Sequence, residues 1–325
     1  MNRRNFLKTS LSTLAAVPAL HFSGPGMVVE EKKTRIAVVK TKDRASGIKQ
    51  AVGLLDLPSM KGKRVFLKPN FNTADPFPAG THNDTLTALI REIKSSGAAE
   101  ITLGERSGPP PTQKVMEDKG IFALSKELAF RVVNFEDLAE ADWTPFNPPG
   151  NHWEKGFLVP RPLVEAEYIV ATCCLKTHQY GGVFTMSLKL AVGITPKKLM
   201  RELHSSPNQR LMIAEINTAF SPKLIVMDGL EAFVDGGPST GRKVAADVLI
   251  AGTDRVAVDA VGVAVLKELG SNEAIMGRKI FEQEQIKRAA ELGLGVSSPR
   301  QVELMTSDET SRLYAEKLEA ILAEG

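Results

Sequence analysis

Two imidazoles and one amine carry the sharpest chemistry of this sequence: His178, Lys189 and His204, all within one basic stretch. Imidazole titrates near neutrality and ligates transition metals, so either histidine can serve as an acid, a base or a metal ligand. Lys189 lies in an apolar run with Met186, Leu188, Leu190 and Val192. Burial there lowers the pKa of an ammonium group, which makes the amine a nucleophile or a covalent anchor. From Lys176 to Arg210 there are six Lys or Arg and a single acid, Glu202. That excess suits an anionic ligand, with Lys176 and Lys197 among the side chains that would hold it. A solvated basic surface is the competing reading.

A second group of polar residues stands just past apolar runs. Lys68 and Asn70 follow Val65-Phe66-Leu67 on either side of Pro69, Glu105 and Arg106 follow the run at 100–103, and Asp228 follows the run at 223–227. Ligands of α/β sheets bind beyond the carboxyl ends of the strands. Lys68, Asn70 and Asp228 are therefore expected to touch substrate, and Glu105 to accept or give a proton. A solvated turn lysine and a surface ion pair are the plain alternatives for Lys68 and Glu105. The segment Asp235-Gly236-Gly237-Pro238-Ser239-Thr240-Gly241 offers backbone donors to a cofactor at Gly237 and Gly241. It lacks the Gly-Lys-Ser/Thr ending of a phosphate-binding loop. Asp259 sits in the apolar run 256–261, where an ionised carboxylate needs a partner, and is read as a buried support for the site.

Alternating elements must position these groups. Runs rich in Val and Ile predict strands at 34–40, 64–68, 100–103, 131–135, 167–172, 223–227 and 247–251. Between them, Leu86, Leu89, Ile90 and Ile93 share a helical face stopped by Gly97, and Leu211, Met212, Ile216 and Phe220 share another. Asp254 is placed to cap a helix over 255–269, and 308–322 reads as a terminal helix. Strands alternating with helices imply an α/β fold, a mostly parallel sheet flanked by helices. The Pro- and Gly-rich stretch 142–161 is either a long loop or a boundary between two lobes. The motifs occupy roughly residues 60–270, and the remainder, 271–325, reads as helical and polar.

At the amino end, Asn2-Arg3-Arg4-Asn5-Phe6-Leu7-Lys8 resembles the twin-arginine export motif and precedes a short apolar run with small residues near Ala19. Residues 1–26 are expected to be a removable signal, leaving 27–325 as a mature, periplasmic or otherwise exported protein that the twin-arginine translocase carries. The run is too short for a stable membrane span, so none is expected after processing. That segment holds three basic residues and no acid, so of 41 Lys and Arg 38 remain against 38 acids. A neutral body argues against nucleic acid as a partner, since phosphate neutralisation needs a broad basic surface. The local cluster is sized for one small anion. Cys173 and Cys174 are the only cysteines, too few for a cluster or a four-cysteine metal site, and adjacent strand residues face opposite ways. They are read as buried small hydrophobes.

Lys68-Pro69-Asn70, Lys176-Thr177-His178, Ser187-Leu188-Lys189, Asp228-Gly229, Gly237-Pro238-Ser239-Thr240-Gly241 and Asp254-Arg255-Val256-Ala257-Val258-Asp259 occur in that order. This series resembles the family catalogued as domain of unknown function 362 (DUF362). Some of its members carry ferredoxin-type cysteine clusters; with two cysteines, no iron–sulfur cluster is expected here. At the level of fold the layout is also similar to the lactate racemase family, whose members hold a nickel pincer nucleotide. On that pattern Lys189 matches the lysine that anchors the cofactor, His204 a nickel ligand, and His178 one of two acid/base histidines. Glu105 stands where the second would be. The resemblance implies an exported enzyme acting on a small anionic molecule, an isomerase or an oxidoreductase, with a transition metal or pincer nucleotide as cofactor. The alternative is a non-catalytic ligand-binding or cofactor-maturation protein outside the cytoplasm.

Overall fold

Val, Ile and Leu crowd the central runs without a polar alternate, so both faces of the sheet must be covered. The computed structural model describes residues 33–325, and the expected signal at 1–26 lies outside them. Among the described residues the strands are β1 (Thr34–Lys40), β2 (Arg64–Lys68), β3 (Glu100–Glu105), β4 (Arg131–Asn134), β5 (Trp143–Phe146), β6 (Phe157–Pro160), β7 (Tyr168–His178), β8 (Val183–Thr185), β9 (Leu224–Gly236), β10 (Gly241–Gly252) and β11 (Val302–Met305). Nine of them form one sheet in the order β11-β1-β10-β9-β7-β2-β3-β4, with β8 folded back on β7. Five ladders are parallel, β1/β11, β2/β3, β2/β7, β3/β4 and β7/β9, against three antiparallel ones. The fold is α/β, a mostly parallel sheet flanked by helices.

Side chains alternate across β7, and each face meets its own helices. Ala171, Cys173 and Leu175 pack with residues of the helices Gln209–Ile216 and Arg255–Glu268. Val170 and Cys174 go to the other layer, with the helices Arg44–Gly53 and Asn83–Ser95. The two free cysteines are thus buried on opposite faces. Leu86, Leu89, Ile90 and Ile93 bury the inner stripe of Asn83–Ser95, and His82 caps it by accepting from the Asp84 amide at 3.1 Å. Twelve residues of Arg255–Glu268 are buried, so this helix lies inside the molecule and not on it. Asp254 caps it, accepting from the amides of Val256 (2.8 Å) and Ala257 (3.0 Å), and its other oxygen takes the Val296 amide at 2.8 Å.

Several elements differ from the sequence pattern. β7 runs eleven buried residues to His178 instead of ending near 172, because β8 returns antiparallel against Lys176, Thr177 and His178. β9 and β10 extend beyond the expected short strands into a long antiparallel hairpin. The stretch 142–161 holds the β5–β6 hairpin, and Lys33–Gly325 packs as one unit, so it is no boundary between lobes. The carboxyl-terminal part is not all helix: β11 pairs parallel with β1 at the sheet edge.

Loss of the Asp254 cap should be felt globally, because three amides lose one acceptor. Asp254→Ala is expected to lower unfolding free energy by about 2 kcal/mol, and Asp254→Asn by less, in urea denaturation.

Candidate functional site

From β2 the chain steps outward to β3 and β4, then returns to place β7 on the other side of β2 and continues outward through β9. The order reverses between β2 and β7, and a crevice beyond the carboxyl ends of the strands at such a reversal is where open α/β sheets bind ligands. β2 delivers Lys68 and, past Pro69, Asn70; β3 delivers Glu105 and Arg106; β7 delivers Lys176 and His178. All six line one small cavity of about 50 Å³, together with Lys189, Thr185 and Gly193. A larger bowl of about 660 Å³ lies beside it and shares Asn72, His178 and Pro238 with it; His204 belongs to this bowl.

Within the cavity, Lys68 and Glu105 neutralise each other. Lys68 Nζ donates to Glu105 Oε1 at 2.6 Å and to the Pro69 carbonyl at 2.7 Å. Glu105 also accepts from the amides of Arg106 and Phe71, each at 2.8 Å. Burial pulls Lys68 down and pushes Glu105 up, and their mutual attraction opposes both shifts. Glu105 is therefore committed to three donors, one lysine and two loop amides, and is not an open acid or base. The Gly193 hydrogen faces this pair closely: a Cβ there would stand 2.7 Å from Glu105 Oε1 and 2.9 Å from Lys68 Nζ.

The remaining cations have no such partner. Lys176, fully buried, donates to the carbonyls of Ala79 and Pro238, and burial lowers its pKa. Arg106 is fastened to the carbonyls of Thr195 and Ser107, each at 2.8 Å, and to that of Val192. Burial holds Lys189 down to about 7, and the charges of Lys176 and Arg106 push the same way, with no acid opposing them. His178 is held neutral, down to about 2, by burial and then by Lys189, Lys176 and His204. Its Nδ1 has no hydrogen-bond partner, and neither do Asn70 Oδ1 and Thr185 Oγ1 at the same cavity. Gly182 lets Lys189 and His178 meet: a Cβ there would lie 2.6 Å from Lys189 Cε and 3.2 Å from His178 Nδ1. Buried polar atoms without partners are costly, so a cavity ringed by them is built for a polar guest.

Lys189 is aimed by its own short helix, Ser187–Leu190. Asp259, wholly buried in Arg255–Glu268, accepts from the Ser187 amide at 2.7 Å and the Leu188 amide at 2.9 Å. The amides of a helix start are thus the partners that its carboxylate needs. Burial pushes Asp259 up to about 7, and the two amides pull it back. The close crossing of the two helices rests on Gly262, where a Cβ would meet Met186 Sδ at 2.4 Å.

Other expected site residues lie elsewhere. Asp228 takes Arg44 Nε at 2.7 Å and Thr85 Oγ1 at 2.5 Å, tying two helices to the sheet. Lys197 pairs with Glu136 at 2.6 Å and lines a separate hollow. Gly237 and Gly241 close the β9–β10 turn, where the Gly237 amide donates to Thr240 O at 2.7 Å and is not free for a ligand. Pro238, between them, is what reaches the cavity. Arg106, Thr185 and Tyr180 were given no role from sequence, although Arg106 directly follows Glu105 at a strand end. Lys189 lines the inner cavity and His204 the adjoining bowl, so the two expected cofactor-holding residues do not line one space. Among the described residues no three His, Cys, Asp or Glu side chains converge on a common point.

Removing one member of a buried ion pair strands the other. Glu105→Gln is expected to destabilise the protein by about 3 kcal/mol in urea denaturation. Lys68→Met combined with Glu105→Gln should cost less than the sum of the single changes, as for any directly coupled pair.

Comparison with known proteins adds three findings. Residues 65–264 match the family described as domain of unknown function (DUF362). A thylakoid-associated protein of Synechocystis sp., sll1697, is 24% identical over 251 residues, which cover 74% of each chain. The lactate racemase apoprotein of Thermoanaerobacterium thermosaccharolyticum superposes with a TM-score of 0.45 at 15% identity, over 69% of this chain and 55% of that one, so the chain spans about half of that structure. The family match takes in more than half of the sequence, from β2 through Asp259, and every residue of the cavity falls inside it: the chain belongs to the DUF362 family.

Proposed function

We propose that the cavity between β2 and β7 binds the anionic group of a small substrate between Lys176 and Lys189, and that the protein is an enzyme using His178 for acid–base chemistry. One observation carries this reading: a buried lysine with no counter-charge faces an imidazole with an unpaired Nδ1. A general base works best with a pKa near the operating pH. Burial first, and then the two ammonium groups that face it, keep His178 far below that range. An anion placed between those groups offsets their share of the shift, so substrate binding raises the basicity of His178. The same anion returns Lys189 to its charged form. Work outside the cytoplasm is supported by the twin-arginine-like start, Asn2 to Lys8, and by the thylakoid association of the Synechocystis relative.

The sign of the pH effect follows from Lys189. Above a pKa of about 7 the Lys189 amine is neutral, and anion binding must bring a proton with it. Calorimetric titration with phosphate and with acetate, repeated in buffers of different ionisation enthalpy, should show uptake of about one proton near pH 8.5 and almost none near pH 5.5. Lys189→Met should abolish the uptake and weaken binding, whereas His178→Ala should keep anion affinity. Binding without proton uptake, or wild-type binding by Lys189→Met, would overturn the assignment.

Protein stability carries a matching signature. Lys189 has a lower pKa folded, about 7, than unfolded, so its burial penalty is complete below pH 7 and fades as pH rises toward 10.5. Lys189→Met should therefore gain most over wild type below pH 7, by up to about 1.4 kcal/mol for each pH unit separating the two values, and the gain should vanish in alkali.

A further inference from the structure

The bowl beside the cavity differs from it in chemistry. Its lining includes Asn72, Thr73, Tyr180, Gln209, Ser239 and Thr240, and no Lys, Arg, Asp or Glu. His204, also in the lining, is kept toward neutrality by burial and by Lys189 and Arg106. The bowl's volume, about 660 Å³, is that of a site for a whole small molecule, whereas the inner cavity of about 50 Å³ admits only a head group. His178 and Pro238 border both spaces, so one ligand can occupy the two at once.

Two features show what the bowl would hold. Tyr180 is 65% exposed, more than any other large apolar side chain among the described residues, and it sits on the rim with its ring edge-on to His178 at 5.9 Å. An aromatic face left in water beside a cleft is a stacking surface for a flat or C–H-rich guest. Around it stand amides and hydroxyls. Gln209 Nε2 is held to His204 Nδ1 at 2.9 Å, which leaves the other imidazole nitrogen as a donor. Gln209 Oε1 approaches Gly181 so closely that a Cβ there would lie 2.2 Å away, so the amide is fixed in orientation. One aromatic face ringed by oriented amides and hydroxyls, without charge, matches a polyhydroxylated body, whose C–H face stacks while its hydroxyls both donate and accept.

We infer that the ligand is a sugar bearing one anionic group, with the anion in the inner cavity between Lys176 and Lys189 and the sugar in the bowl against Tyr180. This rests on the anion site proposed above. The anionic group is a carboxylate or a phosphate, which the inner cations serve alike.

The test compares affinities by calorimetry for the bare anions acetate and phosphate, for glucuronate and glucose 6-phosphate, and for phenyl phosphate. A sugar-bearing anion is expected to bind at least about tenfold tighter than its bare head group, and the better of the two identifies that group. The ratio should fall toward one in Tyr180→Ala and persist in Tyr180→Phe, which keeps the ring. Equal affinity of bare and sugar-bearing anions would overturn the bowl assignment and leave the anion site standing. Tighter binding of phenyl phosphate than of either sugar would overturn the sugar in favour of an apolar body. If no anion binds, both the bowl and the inner site fall.

Discussion

Positive charge is buried at the end of β7 with less negative charge than it needs, and much of the surrounding architecture answers to that. An ion removed from water loses several kcal/mol of hydration even after the protein relaxes. Lys68 recovers this from Glu105, Arg106 from three carbonyls, and Lys176 from two. Lys189 recovers it from nothing in the chain. The loop after Pro69, the turn at Pro238 and the segment around Val192 take their shapes in supplying those carbonyls and amides. The pocket is thus a region where folding leaves one electrostatic demand open.

Holding such a demand open requires stiffness elsewhere, since a mobile lysine would swing out to water. The helix carrying Lys189 has only four residues and cannot sustain itself. Asp259 replaces the missing length by taking both amides at its start, and Asn217 Nδ2 holds the Leu188 carbonyl at 2.9 Å. Arg255, on the same buried helix as Asp259, donates to the Asn217 and Phe220 carbonyls. Asp259 is a positioning residue: it touches nothing in the cavity, yet it fixes where the amine stands.

Much of this could be read from the chain. Strand starts at Thr34, Arg64, Glu100 and Arg131 follow from local Val and Ile content, and the cap at Asp254 follows from a short acid before a periodic run. Lys68, Asn70 and Glu105, legible as polar groups past strand ends, and Lys176, His178 and Lys189, legible from the basic stretch, line one cavity. Pairing was not legible. Whether a charged residue faces a ligand or a partner is decided by residues far away in sequence, as Arg44 is for Asp228 and Glu136 for Lys197. For the same reason the far ends of β7, β9 and β10 escaped notice. Their polar residues, such as Lys176 and Asp228, look like loop until a neighbouring strand encloses them.

Gly182 and Gly193 set the inner cavity by the absence of side chains. At the first, an added carbon would press on Lys189 and His178; at the second, on Lys68 and Glu105. A methyl group at either position would displace the ends of the side chains that define the cavity. Ser239, Thr240 and Tyr180 face the bowl under no such restriction. Substitution at the two glycines therefore moves the very groups that would meet a head group, whereas substitution on the rim changes the outline of the bowl and leaves those groups in place.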